Sequence, residues 1–420
     1  MGQAGFASLP HIFCTHVTQP ASTMSAQPPS SNDTRSRTTL RRAGLTLLTV
    51  IATAGGTLTW DAWRALGRPP RAEAQETFVG STQWDGRKFV NPLPAQQPAF
   101  FSVLKDYIKN DAIVMPESVI PVMRRSRSDY VTPPTSGLRI SWLGHSTILL
   151  EIDGYRVLID PVFGKRASPL SWMGPARFFD PPLPITELPP VDAVLISHDH
   201  YDHLDLVSID HLKSIVPSFL VPLGVDAHLQ HWGVEAERIK AFDWWEQLAL
   251  GSLTITATPA RHFSGRSVRP SSRDATLWSG WVVAGPNHSV YYSGDTGMFP
   301  GFAEIGARLG PFDATLIETG AYNRGWADLH IGPEQAIQAR VDLGSGLYIP
   351  VHWGTFNLAM HAWTEPAERA LVAAAQADVP IVIPQPGQRI EPATAPETVR
   401  WWPQIPWQAA EEAPIVSSGL

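Results

Sequence analysis

The chain reads as a single α/β domain of two sheets with helices on their outer faces, and three observations predict it. Apolar runs of strand length are interleaved with stretches of helical period. Several of those runs stop a few residues before a histidine or an aspartate, which places reactive side chains at strand ends. The composition, 44% hydrophobic and 17% charged over 420 residues, is that of a globular chain with material for a sizeable core.

Taken in order, residues 1–42 are rich in Ser, Thr, Pro and Gln, carry Arg35, Arg37, Arg41 and Arg42, and are expected to be disordered. Residues 43–60 are uncharged and follow that basic flank, so they read as a signal or membrane-anchor segment. Ala52-Thr53-Ala54 and Ala72-Glu73-Ala74 both fit a small-x-small cleavage pattern, and Arg41-Arg42 is similar to a twin-arginine export signal. A cleaved signal and a retained anchor both stay open, as do starts at Met1 and Met24. Either way the expected location is the periplasmic side of the inner membrane, exported or anchored.

Residues 61–85, with Pro69 and Pro70, read as a linker, residues 86–406 as the folded domain and residues 407–420 as a tail. Inside the domain, residues 138–142, 146–152 and 155–159 are β-type runs separated by turns at Gly144 and Asp153-Gly154. Further strands are expected at 193–196, 253–257, 281–284, 289–292, 314–317 and 347–351, and helices at 206–215, 333–341 and 365–377.

The net charge of −7 argues against a nucleic-acid partner, because neutralising phosphates needs clustered Lys and Arg. Cys14 is the only cysteine, which excludes an intramolecular disulfide and a thiolate metal site. The 16 tryptophans are expected mostly in the core, with an exposed subset suited to a membrane surface.

Chemistry concentrates in Ser197-His198-Asp199-His200-Tyr201-Asp202-His203-Leu204-Asp205, directly after the run 191–196. Neutral imidazoles and carboxylates at this density suit divalent zinc, and a dry core could not satisfy so many polar atoms. Three more strand ends lead to His262, Asp295 and His352, which completes a donor set for two metals. Asp160 and His145 read as groups that orient ligands. Asp205 reads as a ligand-orienting group or a helix cap, and His211, His228, His231, His288 and His361 as surface or capping residues.

The H-x-H-x-D-H run followed by His262, Asp295 and His352 resembles the metallo-β-lactamase-fold hydrolases. Within them the chain is similar to the N-acylphosphatidylethanolamine-hydrolysing phospholipases D. That likeness is carried by Trp142-Leu143-Gly144-His145, Asp160-Pro161-Val162-Phe163, Gly294-Asp295-Thr296-Gly297, Gly310-Pro311-Phe312-Asp313, Gly320-Ala321-Tyr322 and His352-Trp353-Gly354-Thr355-Phe356. It implies a four-layer αββα sandwich of the metallo-β-lactamase type. It also implies two Zn2+ ions, one on His198, His200 and His262, the other on Asp202, His203 and His352, with Asp295 bridging. Tyr201 and His330 match positions that contact the phospholipid, and His330 would also give a proton to the leaving group, so His330 and Asp295 are the expected catalytic residues. Arg261-His262-Phe263 and Ile317-Glu318-Thr319 depart locally from the family pattern, beside the expected acyl-chain site.

The function so implied is a zinc phosphodiesterase that cleaves N-acylphosphatidylethanolamine-type lipids to phosphatidate and N-acylethanolamine, through a hydroxide held between the metals. A phospholipid substrate, a membrane surface and a homodimer are its expected partners. A lactonase or other carbonyl hydrolase on the same scaffold, and a non-catalytic membrane-tethered binding protein, are the competing readings.

Overall fold

The computed structural model describes residues 60–96, 105, 107–267 and 269–418. The expectations of disorder in 1–42 and of a signal or anchor over 43–59 lie outside the described residues. Among the described residues, no helix is long and apolar enough to cross a membrane.

Among the described residues, thirteen strands form two sheets. The first contains β1 (Leu138–Trp142), β2 (Ile148–Ile152), β3 (Tyr155–Ile159), β4 (Ala193–Leu195), β5 (Phe219–Pro222), β6 (Ile239–Phe242) and the C-terminal β13 (Arg389–Ile390), in the order β13-β1-β2-β3-β4-β5-β6. The second contains β7 (Gln247–Leu250), β8 (Leu253–Thr258), β9 (Gly280–Ala284), β10 (Ser289–Tyr292), β11 (Ala314–Glu318) and β12 (Leu347–Val351), in the order β12-β11-β10-β9-β8-β7. The strands from β3 to β6 run parallel, as do β10, β11 and β12.

The strands at the middle of the sheets, such as β3, β4 and β10, are apolar on both faces, as a doubly covered sheet requires. On β3, Val157 and Ile159 enter the core between the sheets while Leu158 points to the outer layer; on β10, Val290 and Tyr292 point in and Tyr291 out. A one-residue slip would exchange these sets, so two-sided burial fixes the register. The outer core of the first sheet takes Ile209 and Leu212 from the helix Leu206–Leu212 and Leu229 from Asp226–His231. That of the second takes Phe302 and Ile305 from Gly301–Leu309, Ile337 from Pro333–Leu343 and Ala370 from Glu365–Ala377. The result is the four-layer αββα sandwich.

Two expectations are corrected. The segment 61–85 is no free linker: residues 60–65 are helical, the Arg64 guanidinium bonds Asp210 at 2.9 Å, Trp232 donates to the Arg64 carbonyl at 2.8 Å, and Phe78 is buried with Phe89, Trp244 and Trp278. Its prolines and small residues read as a linker, but its few aromatic anchors decide its place. The tail 407–420 is likewise packed as far as it is described. Ile415 is buried, Arg369 donates to the Ala413 carbonyl, and Ser418 donates twice to the Asp328 carboxylate.

Candidate metal centre

The site lies where strands of both sheets end together. β4 runs out through Ile196 and Ser197 into His198; β8, β10 and β12 lead to His262, Asp295 and His352, and β11 ends on Glu318. Gly294 turns the chain at φ +60 just before Asp295, where a Cβ would stand 2.6 Å from the Ser279 carbonyl. His145, Asp160 and His352 all hold positive φ without being glycine, a backbone cost that is concentrated at sites whose geometry is functional.

All seven predicted ligands are brought together. His200 Nδ1 is 2.8 Å from His198 Nε2 and 3.2 Å from His262 Nε2. Asp202 Oδ2 is 3.2 Å from His352 Nε2 and 3.5 Å from His203 Nε2. Asp295 stands between the two groups: Oδ1 is 3.1 Å from His203 Nε2, and Oδ2 is 3.0 Å from His352 Nε2, 3.7 Å from His198 Nε2 and 3.8 Å from His262 Nε2.

The donors fit divalent metal. His203 Nε2 and Asp295 Oδ1 are buried 3.1 Å apart without hydrogen-bond geometry, two buried polar atoms that a shared cation would satisfy. Burial pushes His198, His200 and His262 down, which keeps these imidazoles in the neutral, ligating form. Burial also raises the Asp202 and Asp295 carboxyls, but the His203 charge beside both overrides it and holds them well below the usual carboxylate range; the same carboxylates push His203 up, and His352 up to about 10, so in this half a cation would take the place of those ring protons. Among the described residues three sets of four lie close enough to hold an ion: His198, His200, His262 and Asp295; Asp202, His203, His352 and His145; and Asp295, Glu318, His330 and His352, which overlaps both.

Behind the ligands, Asp160 accepts from His203 Nδ1 at 2.7 Å, from Ser197 N at 2.7 Å, from Ser197 Oγ at 2.5 Å and from the Tyr292 hydroxyl at 2.5 Å. His145 Nε2 lies 2.9 Å from Asp202 Oδ2, close enough to serve as orienter or ligand. His262 Nδ1 donates to the Leu329 carbonyl at 2.8 Å, and the Asn91 amide brackets the His262 backbone. Asp205 caps the helix Leu206–Leu212, accepting from Val207 N and Ser208 N. His228, expected at the surface, is buried, accepting from Arg68 N at 2.9 Å with Nε2 3.3 Å from Asp199.

His330 lines the cavity over the ligands, a space of about 370 Å³ walled by Phe263, Trp326, Leu329 and Leu358. Its Nδ1 makes a very short hydrogen bond to Glu318 Oε1, while Glu318 Oε2 accepts from Thr296 N at 2.5 Å. Burial and the Asp295 charge push the Glu318 carboxyl well up, and burial pushes His330 down to about 4, so the proton between them stays on the carboxyl side and the ring is neutral. Tyr201 points elsewhere. Its hydroxyl donates to the Arg266 carbonyl at 2.5 Å, the Arg266 guanidinium covers its ring at 4.1 Å, and it lines a neighbouring cavity of about 530 Å³. Sequence reasoning noted Glu318 only as a departure from the family pattern and missed that it supports His330. The signal was an acid ending an otherwise apolar strand.

The family described as a beta-lactamase superfamily domain matches residues 155–353. An uncharacterized protein of Mycobacterium tuberculosis is 52% identical over 271 residues, covering 64% of this chain and 72% of its own length. The N-acyl-phosphatidylethanolamine-hydrolyzing phospholipase D 1 of Caenorhabditis elegans is 34% identical over 293 residues, 66% of this chain and 79% of that protein. The mitochondrial enzyme of the same description from Saccharomyces cerevisiae is 32% identical over 239 residues, 54% of this chain and 50% of its own length. With a metallo-β-lactamase fold, His/Asp clusters able to bind metal and these homologues, the chain belongs to the β-lactamase superfamily of metal-dependent hydrolases.

Proposed function

We propose that the chain is a two-zinc phosphodiesterase that hydrolyses N-acylphosphatidylethanolamine-type phospholipids to phosphatidate and N-acylethanolamine. The observation that carries this reading is the complete seven-residue donor set with His330 beside it, in a chain 34% identical to a nematode protein of that description. His198, His200 and His262 would hold one ion, Asp202, His203 and His352 the other, with Asp295 between them. A bound zinc pair supplies Lewis acidity toward phosphoryl oxygens and a nucleophile at neutral pH.

The protein's own groups do the rest. With Nδ1 facing the protonated Glu318 carboxyl, the neutral His330 ring carries its own proton on Nε2 toward the cavity it lines, and it can pass that proton to the departing alkoxide oxygen while Nδ1 takes the Glu318 proton in its place. Phe263, Trp326, Leu329 and Leu358 offer apolar contact to the substituents of the ester and limit water around the reacting group. A membrane surface as partner is supported by Trp60 and Trp63, stacked at 5.1 Å and both more than half exposed, and by exposed Trp172 and Met173.

Zinc-loaded protein is expected to release N-acylethanolamine and phosphatidate from N-acylphosphatidylethanolamine vesicles. A fully metallated protein that turns over lactones or carboxylic esters but no phosphodiester would overturn the reading in favour of a carbonyl hydrolase. Fusion of residues 1–75 to a reporter tests the export proposal, a cytoplasmic signal counting against it.

A further inference from the structure

Of the 16 tryptophans, only Trp60, Trp63 and Trp172 are more than half exposed, and all three flank one cavity. That cavity, about 530 Å³, lies between the helical residues 60–65 and the loop 163–171. Ala65 lines it from the first, Leu170 and Ser171 from the second, and Val207, itself exposed, from the helix Leu206–Leu212. Trp172 and the exposed Met173 follow Ser171 directly. Exposed apolar side chains scattered singly are ordinary on a protein surface, but five large ones around one recess mark an interaction site.

The elements that carry them are held firmly, so the exposure is not that of a fraying end. Trp232 and Arg266 donate to the Arg64 and Ala65 carbonyls, both at 2.8 Å, and Arg64 pairs with Asp210. Trp63, stacked on Trp60, meets the His231 ring edge-on at 5.5 Å. In the loop, Arg166 donates to the Gly174 carbonyl at 2.6 Å and Ala167 N to the Pro175 carbonyl at 3.0 Å, which closes the loop beneath Trp172 and Met173.

The chemistry of the face fits a bilayer. Indole favours the membrane–water boundary, with its ring among apolar groups and its N–H wet, and Lys165 and Arg166 on the cavity wall suit lipid phosphates. The uncharged run 43–60 ends on Trp60 itself, so a bilayer that holds this run meets the domain at this face. Tyr201 and Arg266 line the same cavity: Tyr201 stands between the ligands His200 and Asp202, and the Arg266 guanidinium donates to the Asp199 and Leu204 carbonyls. The face therefore backs on the loop that carries four of the seven ligands, His198, His200, Asp202 and His203.

We infer that this face is the bilayer-docking surface of the chain. Trp60, Trp63, Trp172 and Met173 enter the headgroup layer, Lys165 and Arg166 meet lipid phosphates, and the ligand loop lies on the membrane side of the domain. The inference rests on the membrane partner proposed above and adds which surface meets it, whichever ester is cleaved.

The test is fluorescence quenching of the full chain bound to phosphatidylcholine–phosphatidylglycerol vesicles with brominated acyl chains. In a Cys14→Ser background, a nitrobenzoxadiazole label is attached through Ser171→Cys in the loop, or through Gln338→Cys on the helix Pro333–Leu343, outside the other sheet. The label at 171 should be quenched and the label at 338 should not. Trp60→Ser, Trp63→Ser and Trp172→Ser together should remove most of the quenching at 171 with little change in the thermal melt, since exposed side chains carry little of a fold's stability. Bound protein quenched at 338, or at neither label, overturns the inference and leaves the membrane partner standing. Quenching at 171 that survives the triple substitution also overturns it, as does a concentration-dependent blue shift at 171 without vesicles, the mark of an interface between copies. If the chain binds no vesicles, the inference and the membrane partner fall together.

Discussion

His198 and His262 rest on neutral partners: the Ser197 hydroxyl at 3.0 Å from His198 Nδ1, and the Leu329 carbonyl and Asn91 amide around His262. Asp202, His203 and His352 rest on ionisable ones: His145 against Asp202, Asp160 against His203, and Glu318 3.8 Å from His352 Nδ1. The two halves of one cluster therefore differ in what would break them. A neutral partner can be lost at the value of one hydrogen bond, whereas a buried ionisable partner leaves an unbalanced charge behind it.

The largest effect is expected from Asp160→Ala. Four donors lose their acceptor at once, and only His203 is a ligand among them, His198 being reached through Ser197. Metal affinity of the Asp202–His203–His352 half should fall by roughly 100-fold, the upper range for such supports, and folding stability by about 3–5 kcal/mol. Zinc content of the purified protein with a thermal melt measures both. Equal loss from the two halves would mean that the contrast does not exist.

Next comes Glu318→Gln, which can still accept from Thr296 N and donate to His330 Nδ1 but holds no proton it can release to the ring. Because Glu318 supports His330 directly and stands farther from His352, kcat should fall by roughly 10–100-fold with zinc content retained. Loss of one zinc together with activity would instead make Glu318 a support of the metal. Asn91→Ala, on the neutral side, should lower zinc affinity by less than about tenfold and stability by about 1–2 kcal/mol, read by chelator competition and urea unfolding. A full loss of His262-side metal would erase the comparison.

The contrast explains what the sequence made legible. Ligands are local in the chain or sit just past apolar runs, so His198 to His203, His262, Asp295 and His352 announce themselves; so do strands such as β3, whose two faces are both apolar. The supports are not local. Glu318 and His330 meet only because β11 ends beneath the loop that carries His330, and Asn91 reaches His262 across 171 residues. β7 is largely exposed, and the two-residue β13 pairs with β1 from the other end of the domain, so neither carries a periodic signal of its own. Tyr201 shows the converse: its place in the motif suggested the metal cavity, but a loop residue between two ligands can face away, and here it packs under Arg266.

The smallest effect tests the outermost support of the neutral half, where the charge is external to the ligands. Asp328 accepts from Gln96 N at 2.8 Å and from Ser418 N at 2.6 Å, and stands 3.3 Å from Arg261, the residue before His262. Burial raises its carboxyl, but the Ser418 and Gln96 hydrogen bonds and the Arg261 charge together pull it below the usual range. A carboxyl depressed on folding stabilises the fold above its unfolded value, about 3.9, and that contribution is lost as the pH falls through the folded value. Asp328→Asn should therefore cost about 1–2 kcal/mol at pH 7, and the gap from wild type should close as the pH drops below about 4, since protonation makes the wild-type group neutral as well. Urea unfolding of both proteins in chelator, so that acid release of metal does not enter, measures the gap directly. A gap that persists unchanged to pH 3 would show that shape rather than charge ties the tail and the 88–96 segment to the His262 side of the centre.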